Sequence, residues 1–239
     1  MSVTTTSFPA ASPARNAVQQ LLHSPRLPQV VSQLEAALEA ERQARQRFYD
    51  QVTEFQKAEF INGEIIMQSP ARLQHTLARK HLSMLFSAYV QKHHLGLVGD
   101  EKMLVALARN DYEPDICFFA PEKASAFSPD QMKFPAPDLI VEVLSPTTES
   151  FDRGVKFEDY ALHGVREYWL VDPEHQTVEQ YLLPSEGNPD REEFSAYQLA
   201  IKARSGILQS EVIGGFEIPV RAIFDPAENL VVLQDILNR

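Results

Sequence analysis

The fold of this chain is decided by residues 137–173, PDLIVEVLSPTTESFDRGVKFEDYALHGVREYWLVDP. This stretch opens with an apolar run, Leu139 to Leu144, which predicts a strand buried on both faces. A helix is expected from about Asp152 to His163, and a second apolar strand covers Glu167 to Val171. A strand, a helix and a strand within about forty residues form a βαβ-like unit, which favours a parallel strand pair joined by a crossover helix.

Glu142 is the charged residue inside the first apolar run. A carboxylate in a buried strand is costly unless it is paired with a cation, hydrogen-bonded or bound to a metal. Asp115 opens an earlier apolar strand, Ile116 to Ala120, 27 residues before Glu142. If the two strands are neighbours, their carboxylates converge on one hard cation, because two carboxylates with waters and a substrate phosphate usually hold Mg²⁺. The alternatives are a Pro-Asp turn at Asp115 and a structural ion pair at Glu142.

Lys156 lies on the predicted crossover helix, 14 residues after Glu142. An ammonium beside a metal site can orient an attacking water and stabilise negative charge that grows on a phosphoryl oxygen. Asp115, Glu142 and Lys156 are therefore the candidate catalytic residues, with the two acids as metal ligands and Mg²⁺ or Mn²⁺ as the cofactor. The alternative for Lys156 is an ordinary lysine on a helix surface.

The composition limits the classes of function that are open to the chain. It has 239 residues, 44% of them hydrophobic, with 22 basic and 33 acidic residues and a net charge of −11. This balance argues against a large basic nucleic-acid footprint but leaves room for a small local cleft. The lone Cys117 excludes an internal disulfide and a Cys-based zinc site. Because no run of 18 apolar residues and no secretory signal pattern is found, we expect a cytoplasmic protein without a membrane span.

The chain is expected to contain four segments. Residues 1–28, rich in Ser, Thr, Ala and Pro, are predicted to be a flexible N-terminal arm. Residues 29–57 are predicted to be an N-terminal helix, residues 58–224 the main domain, and residues 225–239 a C-terminal helix. Apolar residues recur at three- and four-residue steps along the 29–57 helix, so we expect it to pack on the domain or on a second copy in a homodimer. A regulatory coiled coil is the alternative.

A basic helix is predicted to begin at Ser69-Pro70 and to end near His94. Apolar residues form one of its faces, and the other face carries Arg72, His75, Arg79, Lys80, Lys92 and His93. This is the most basic element of an acidic chain, so it is either a solvated surface or a wall that faces phosphate. In the second case, the expected phosphate contacts are Arg72, Arg79 and Lys80.

Several short motifs, taken in order, make the chain resemble a known family. They are Glu113-Pro114-Asp115, the string PDLIVEVLSP that contains Glu142, then Asp152, Lys156, Tyr160, Gly164-Val165, and the string EYWLVDP from Glu167 to Pro173. The upstream residues that fit are Glu59, Gly63, Ser69-Pro70 and His75. Together they resemble the Uma2 family, restriction-endonuclease-like proteins of the PD-(D/E)XK nuclease superfamily, over roughly residues 48–183.

The resemblance implies an α/β fold in which a restriction-endonuclease-like mixed β-sheet core is flanked by helices, here with an N-terminal helical extension. It makes residues 58–224 a PD-(D/E)XK nuclease-like domain and implies a divalent-metal phosphodiesterase site with Asp115 and Glu142 as ligands. The superfamily lysine usually lies two residues after the glutamate, where this chain has Leu144. Lys156 would therefore reach the site from the helix.

Accessory residues are implied by the same resemblance. The superfamily's first-helix glutamate is absent from the basic helix, so Glu59 or Glu64 on the preceding hairpin is expected to replace it. His75 is a candidate contact to phosphate or to a ligand residue, with a structural histidine as the alternative. Asp152 is a further accessory candidate.

Two functions remain open at this point. The first is a Mg²⁺-dependent endonuclease that hydrolyses DNA phosphodiester bonds. The second is a catalytically silent nuclease-fold module that acts as a binding or assembly partner. The net charge of −11 favours the second, whereas the joint presence of Asp115, Glu142 and Lys156 favours the first.

Overall fold

A computed structural model describes residues 13–53, 56–184 and 196–238 of the chain. It divides the chain into two compact units, residues 1–51 and residues 52–239. The part of the predicted N-terminal arm before residue 13, and residues 54–55 of the predicted N-terminal helix, lie outside the described residues.

The first unit consists, in its described part, of two helices, α1 (Pro13–Leu22) and α2 (Leu27–Gln51). α1 lies within the segment that was expected to be an arm. Its apolar residues Val18, Leu21 and Leu22 recur at three- and four-residue steps, which is the helical period. Short apolar repeats inside a Ser/Ala/Pro-rich segment therefore suffice to define a helix here.

The second unit is an α/β domain. Its strands are β1 (Ala58–Ile61), β2 (Glu64–Met67), β3 (Leu97–Asp100), β4 (Leu104–Ala106), β5 (Asp111–Tyr112), β6 (Ile116–Phe119), β7 (Lys133–Phe134), β8 (Leu139–Val143), β9 (Glu167–Asp172), β10 (Thr177–Leu182), β11 (Gln198–Ala203), β12 (Ile207–Gln209) and β13 (Glu217–Pro219). Its helices are α3 (Leu73–His93), α4 (Pro121–Ala124), α5 (Glu149–Asp152), α6 (Val155–Leu162) and α7 (Pro226–Asn238), with a 3-10 turn at Val220–Ile223. No helix in the described part of the chain is long and apolar enough to cross a membrane.

In the described part of the chain, the central sheet has six strands in the order β11-β10-β9-β8-β6-β3. β8 and β9 run parallel, whereas every other neighbouring pair in this sheet is antiparallel. The sheet is therefore mixed, and the parallel pair predicted from residues 137–173 is confirmed. A second sheet has the order β2-β1-β5-β4-β7, and β12 pairs with β13.

The hairpin predicted from Asn62-Gly63 joins β1 to β2. Asn62 and Gly63 both have positive φ, 51° and 89°. Two successive positive φ values are what a type I′ turn requires, and this turn matches the twist of antiparallel strands. The hairpin places β1 next to β5, and thereby next to the segment that leads into β6.

The crossover between β8 and β9 contains two short helices, α5 and α6, where one continuous helix was expected. The break falls at Gly154, whose backbone conformation (φ −112°, ψ −108°) is not helical. A Cβ at this position would lie 2.7 Å from the carbonyl oxygen of Ser150. Gly154 therefore permits a tight turn that sets the direction in which α6 starts.

Helices pack on both faces of the central sheet. Side chains alternate between the faces along a strand, so Val141 and Val143 belong to the core that contains residues of α3 and α7. Ile140 belongs to the other core, which contains Tyr160 of α6. Glu142 shares the face of Ile140. Because side chains alternate along β8, its acid, Glu142, points toward α6.

α3 begins at Leu73, later than the Ser69-Pro70 start expected from the sequence. The backbone N–H of Gln68 donates to the carbonyl oxygen of Lys57 at 3.0 Å, so the pairing of the β1–β2 hairpin continues beyond β2. Arg72 still has an extended backbone. Residues 69–72 consequently form an irregular connection between the hairpin and the helix.

Candidate active site

The two acids expected at the site meet between neighbouring strands. β6 and β8 are antiparallel with Ile116 opposite Val141, so Asp115, directly before β6, lies beside Glu142. The backbone N–H of Val143 donates to Asp115 Oδ2 at 2.9 Å, and the backbone N–H of Asp115 donates to Glu142 Oε2 at 3.3 Å. Both acids are buried. The structure therefore brings Asp115 and Glu142 together.

Lys156 reaches this pair from α6 with its side chain only 2% exposed. Its Nζ lies 3.1 Å from Glu142 Oε1. The same nitrogen lies 3.0 Å from Glu59 Oε1 and 3.1 Å from Asp152 Oδ1. Lys156 is thus a buried cation surrounded by three carboxylates, not a lysine on a helix surface.

Burial and charge together set the ionisation of this cluster. Burial lowers the pKa of Lys156, but the surrounding carboxylates outweigh it and hold that pKa well above its usual range. Burial raises the pKa of Glu142; the charge of Lys156 opposes this rise and the neighbouring acids add to it. Because several carboxylates share one buried cation, the cluster has excess negative charge, and Glu142 accepts a proton more readily than an ordinary glutamate.

Tyr160 completes the surroundings of Glu142 by donating its hydroxyl to Glu142 Oε1 at 3.0 Å. Asp152, Lys156 and Tyr160 are separated by four residues each. Lys156 and Tyr160 lie on the same side of α6, because side chains four residues apart share a face of a helix. Asp152 lies in α5, beyond the break at Gly154, and joins the same cluster through Lys156. The repeated four-residue spacing is the signal in the sequence that identifies Tyr160 as part of the site.

Asp115 has two further partners, on residues that precede the strand pair in the sequence. Lys57 Nζ lies 3.1 Å from Asp115 Oδ1, and His75 Nε2 lies 3.3 Å from Asp115 Oδ2. Burial opposes ionisation of Asp115, but the hydrogen bond with His75 and the charge of Lys57 hold the pKa of Asp115 well below its usual range. The sequence reasoning did not single out Lys57. Its two-residue spacing from Glu59, which places both on one face of extended chain, is the signal that could have found it.

A cleft of about 480 Å³ opens over Asp115. Its basic lining residues are Lys57, Arg72, His75 and Arg79, and the hydroxyl-bearing ones are Ser69, Thr76, Ser145, Thr147 and Thr148. Glu59, Glu101 and Asp115 contribute carboxylates to the wall, whereas Glu142 and Lys156 do not line the cleft. The site therefore has an accessible layer around Asp115 and a buried layer around Glu142.

The three expected phosphate contacts differ in their positions. Arg72 is exposed and lines the cleft just before α3. Arg79 also lines the cleft, but its guanidinium is paired with Glu101 at 2.8 Å. Lys80 is exposed and lies outside the cleft lining. Since consecutive helical residues point in different directions, Arg79 and Lys80 cannot both face the same wall.

The two hairpin glutamates are separated by the structure. Glu59 in β1 is buried; its carboxylate contacts Lys156 and accepts the backbone N–H of Glu113 at 3.0 Å. Glu64 lies in β2, an edge strand of the smaller sheet, where it is exposed and outside the cleft lining. Only Glu59 therefore joins the catalytic candidates.

The available donors fit a hard cation with few protein ligands. Mg²⁺ usually takes one or two carboxylates and keeps several waters. Asp115 and Glu142 supply two carboxylates in a region where burial, and after it the neighbouring acids, raise the pKa of Glu142. Among the described residues, no group of three His, Cys, Asp or Glu side chains is placed to hold a metal. The donor set suits Mg²⁺ or Mn²⁺ and does not suit a metal that needs a cage of protein side chains.

A mixed sheet flanked by helices, with two carboxylates side by side on adjacent strands, defines a restriction-endonuclease-like α/β protein. The model of the Uma2 family, described as "Putative restriction endonuclease", matches residues 43–221. The chain belongs to the Uma2 family, and the resemblance based on its motifs is confirmed.

The chain is also similar to two relatives and to a solved structure. The chain is 33% identical over 134 residues to "Uncharacterized protein sll1609" of Synechocystis sp., covering 55% of this chain and 74% of the relative. It is 28% identical over 138 residues to "Uncharacterized protein slr1290" of the same organism, covering 56% and 70%. A crystal structure from Anabaena variabilis of "a putative nuclease belonging to DUF820" matches with a TM-score of 0.61 and 18% identity, over 74% of this chain and 94% of that chain. This similarity shows that the nuclease-like fold is shared.

Proposed function

We propose that the protein is a Mg²⁺-dependent endonuclease, with Mn²⁺ as an alternative cofactor, that hydrolyses DNA phosphodiester bonds. The observation that carries this proposal is the placement of Asp115 beside Glu142, where two neighbouring strands meet under a cleft that Lys57, Arg72 and Arg79 help to line. The nuclease-like family and fold support the same reaction class. The cytoplasm is the proposed location, where a lone buried thiol such as that of Cys117 stays reduced.

The reaction is a hydrolysis with a simple balance of atoms. A water oxygen forms a bond to phosphorus, the bond from phosphorus to the leaving sugar oxygen breaks, and that oxygen takes up a proton while the water loses one. Asp115 and Glu142 would hold the cation, which supplies an activated water and stabilises negative charge when bound. Lys156 and Tyr160 both contact Glu142 Oε1, so they fix the orientation of this ligand.

The cleft supports a nucleic-acid substrate despite the net charge of −11. Arg72 and Arg79 line it together with several hydroxyl side chains, and these groups bind phosphate oxygens. The first turn of α3 also borders the cleft at His75 and Thr76, and backbone N–H groups at a helix start attract anions. In this proposal Lys80 extends the phosphate contacts along α3 beyond the cleft.

Cleavage of supercoiled and linear DNA with Mg²⁺, Mn²⁺ or EDTA tests the proposal. We expect metal-dependent cleavage by the wild-type protein and none by Asp115→Asn, because a neutral amide replaces a charged ligand of the cation. Glu64→Gln provides the matched control, since Glu64 is exposed and outside the cleft, and it should cleave like wild type. Metal-dependent cleavage that persists in Asp115→Asn would refute the assigned site.

A second candidate function, a binding or assembly module, is favoured by α2. Three apolar residues of this helix, Val31, Leu34 and Leu38, are 42%, 57% and 43% exposed. They lie three and four residues apart, so they form one stripe on the helix. A homodimer that buries this stripe in an isologous contact is the simplest partner, and it is compatible with a nuclease site in each copy.

A further inference from the structure

The candidate site contains two lysines with different surroundings. An ammonium group has three N–H donors. Lys156 Nζ lies within 3.1 Å of three carboxylates, from Glu59, Glu142 and Asp152, and it donates a hydrogen bond to Glu142 Oε1. Its side chain is 2% exposed and does not line the cleft. Lys156 therefore faces buried carboxylates and has no path to a phosphate group in the cleft.

Lys57, in contrast, lines the cleft, and its side chain is 22% exposed. Within the described part of the chain, its hydrogen-bonding partner is Asp115 Oδ1 at 3.1 Å, which occupies one of the three donors. The remaining donors are available to a ligand that enters the cleft.

The backbone holds Lys57 in a defined place. Its carbonyl oxygen accepts the N–H of Gln68, another residue of the cleft wall, and the next residue, Ala58, pairs with Met67 in the hairpin. Lys57 is therefore held at both ends, since Asp115 contacts its ammonium and the hairpin fixes its backbone. A catalytic group that is fixed before the substrate arrives loses little freedom when the reaction occurs.

The other cations of the cleft are less suited to contact the reacting phosphate. The guanidinium of Arg79 is paired with Glu101 at 2.8 Å. Arg72 is exposed and precedes α3, and within the described part of the chain no hydrogen bond or ion pair joins it to Asp115 or Glu142. Lys57 is therefore the lysine or arginine of the cleft that combines contact with Asp115 and access to the cleft. His75 shares both features, but an imidazole has at most two N–H donors and its Nε2 already faces Asp115.

We infer that Lys57 is the catalytic lysine, donating hydrogen bonds to a non-bridging oxygen of the scissile phosphate, and that Lys156 is a positioning residue for Glu142. This inference rests on the proposed phosphodiesterase function. During hydrolysis, negative charge increases on the non-bridging oxygens while the new bond forms to water and the bond to the sugar oxygen breaks. An ammonium that is partly shielded from water stabilises this charge.

Covalent labelling tests the contact without relying on activity. Lysines of the metal-free protein are acetylated with an N-hydroxysuccinimide ester in EDTA at low salt, with and without a short DNA duplex, and followed by peptide mass spectrometry. We expect Lys57 to be labelled and DNA to slow this labelling in proportion to the bound fraction, while Lys156 stays unlabelled. Lys202 is the control, since its side chain is 58% exposed on β11 outside the cleft and its labelling should not respond to DNA.

Kinetics of Lys57→Met test the catalytic role. Removing one preorganised donor typically lowers a rate by about 10²–10³-fold, so we expect a loss of this size in kcat, measured at a temperature at which the variant is fully folded. Lys202→Met should cleave like wild type. Labelling of Lys156 in place of Lys57, or wild-type cleavage by Lys57→Met, would overturn the inference and leave the proposed function intact. If the wild-type protein cleaves nothing with Mg²⁺ or Mn²⁺ while DNA still protects Lys57, the proposed function fails and the phosphate contact of Lys57 stands.

Discussion

Asp115 and Glu142 are joined through the backbone of the strands that carry them. The N–H of Asp115 donates to Glu142 Oε2 at 3.3 Å, and the N–H of Val143, the residue after Glu142, donates to Asp115 Oδ2 at 2.9 Å. Each carboxylate is thus held by the neighbouring strand. The two acids are fixed by the sheet itself, so their placement does not depend on a bound cation.

Metal binding is predicted to be weak, to need Asp115, and to strengthen as the pH rises. Because burial raises the pKa of Glu142, a proton competes with the cation at low pH, and its release favours binding at higher pH. Calorimetric titration with Mg²⁺ and Mn²⁺ at several pH values should show one site whose affinity increases with pH. Binding that is unchanged in Asp115→Asn would remove Asp115 from the site.

The parts of the molecule that the sequence predicts well are those in which local pattern and burial agree. The run Leu139–Leu144 is apolar enough to specify a central strand, and its single acid identifies the site. Asn62-Gly63 predicts the hairpin turn equally well, because this turn needs two residues that tolerate a positive φ.

The remaining features depend on contacts that no local pattern records. Burial of Lys156 results from the break at Gly154, which sets the direction of α6. Lys57 was expected to end the periodic 29–57 helix, but α2 ends at Gln51 and Lys57 pairs with the hairpin, so its position appears only when the hairpin packs beside Asp115. Both lysines look like ordinary surface residues until distant parts of the chain meet around the acid pair.

A pH effect on stability is predicted at Glu179, away from the active site. Burial raises the pKa of Glu179, but hydrogen bonds from Arg153, Lys202 and Tyr181 outweigh this and lower it from 4.5 to about 2. A lowered pKa in the folded state stabilises the fold at pH values above the ordinary pKa of 4.5. This contribution is lost as the pH falls through about 2.

The variant Glu179→Gln should therefore be less stable than wild type at neutral pH. The difference in free energy of unfolding between wild type and the variant should narrow between pH 4.5 and about 2, because only wild type has a carboxylate to protonate at this position. Urea unfolding at a series of pH values measures this difference. A difference that stays constant with pH would contradict the ion-pair account of Glu179.

Dimerisation is predicted to depend on the exposed stripe of α2. Leu34, 57% exposed, lies between Val31 and Leu38, and Leu34→Asp would place a charge in the buried contact. Light scattering should report a dimer for wild type and a monomer for this variant. Gln33→Asp adds the same side chain at the adjacent position, off the stripe, and should remain dimeric. A monomeric wild-type protein at micromolar concentration would reject the prediction.

DNA affinity is predicted to have a shallow salt dependence. Few basic side chains line the cleft, and each phosphate contact that is lost lowers the slope of log K against log salt by about 1. Arg72→Gln should show this loss. Arg79→Gln should show a smaller one, because Glu101 already neutralises the guanidinium. Fluorescence anisotropy at several salt concentrations distinguishes the two, and equal slopes for wild type and Arg72→Gln would exclude Arg72 from the phosphate contacts.

Glu142→Gln is predicted to separate catalysis from stability. In wild type, Lys156 contacts Glu59 and Asp152 as well as Glu142, so this neutral substitution leaves the buried cation with two carboxylates. It also removes one negative charge from a group of acids that repel each other. The metal-free variant should therefore melt at the wild-type temperature or slightly above it. Metal-dependent cleavage should be lost, because the hard cation loses a charged ligand.

Lys156→Met, in the same cluster, is predicted to have the opposite effect on stability from Glu142→Gln. It leaves three buried carboxylates without their cation, and removing one partner of a buried ion pair typically costs about 3–5 kcal/mol. Thermal unfolding of the two metal-free variants, side by side with wild type, should thus show a large destabilisation for Lys156→Met only. If Glu142→Gln melts as far below wild type as Lys156→Met does, then Glu142 serves mainly as the structural partner of Lys156. Its assignment as a metal ligand would then be wrong, whatever the cleavage assay shows.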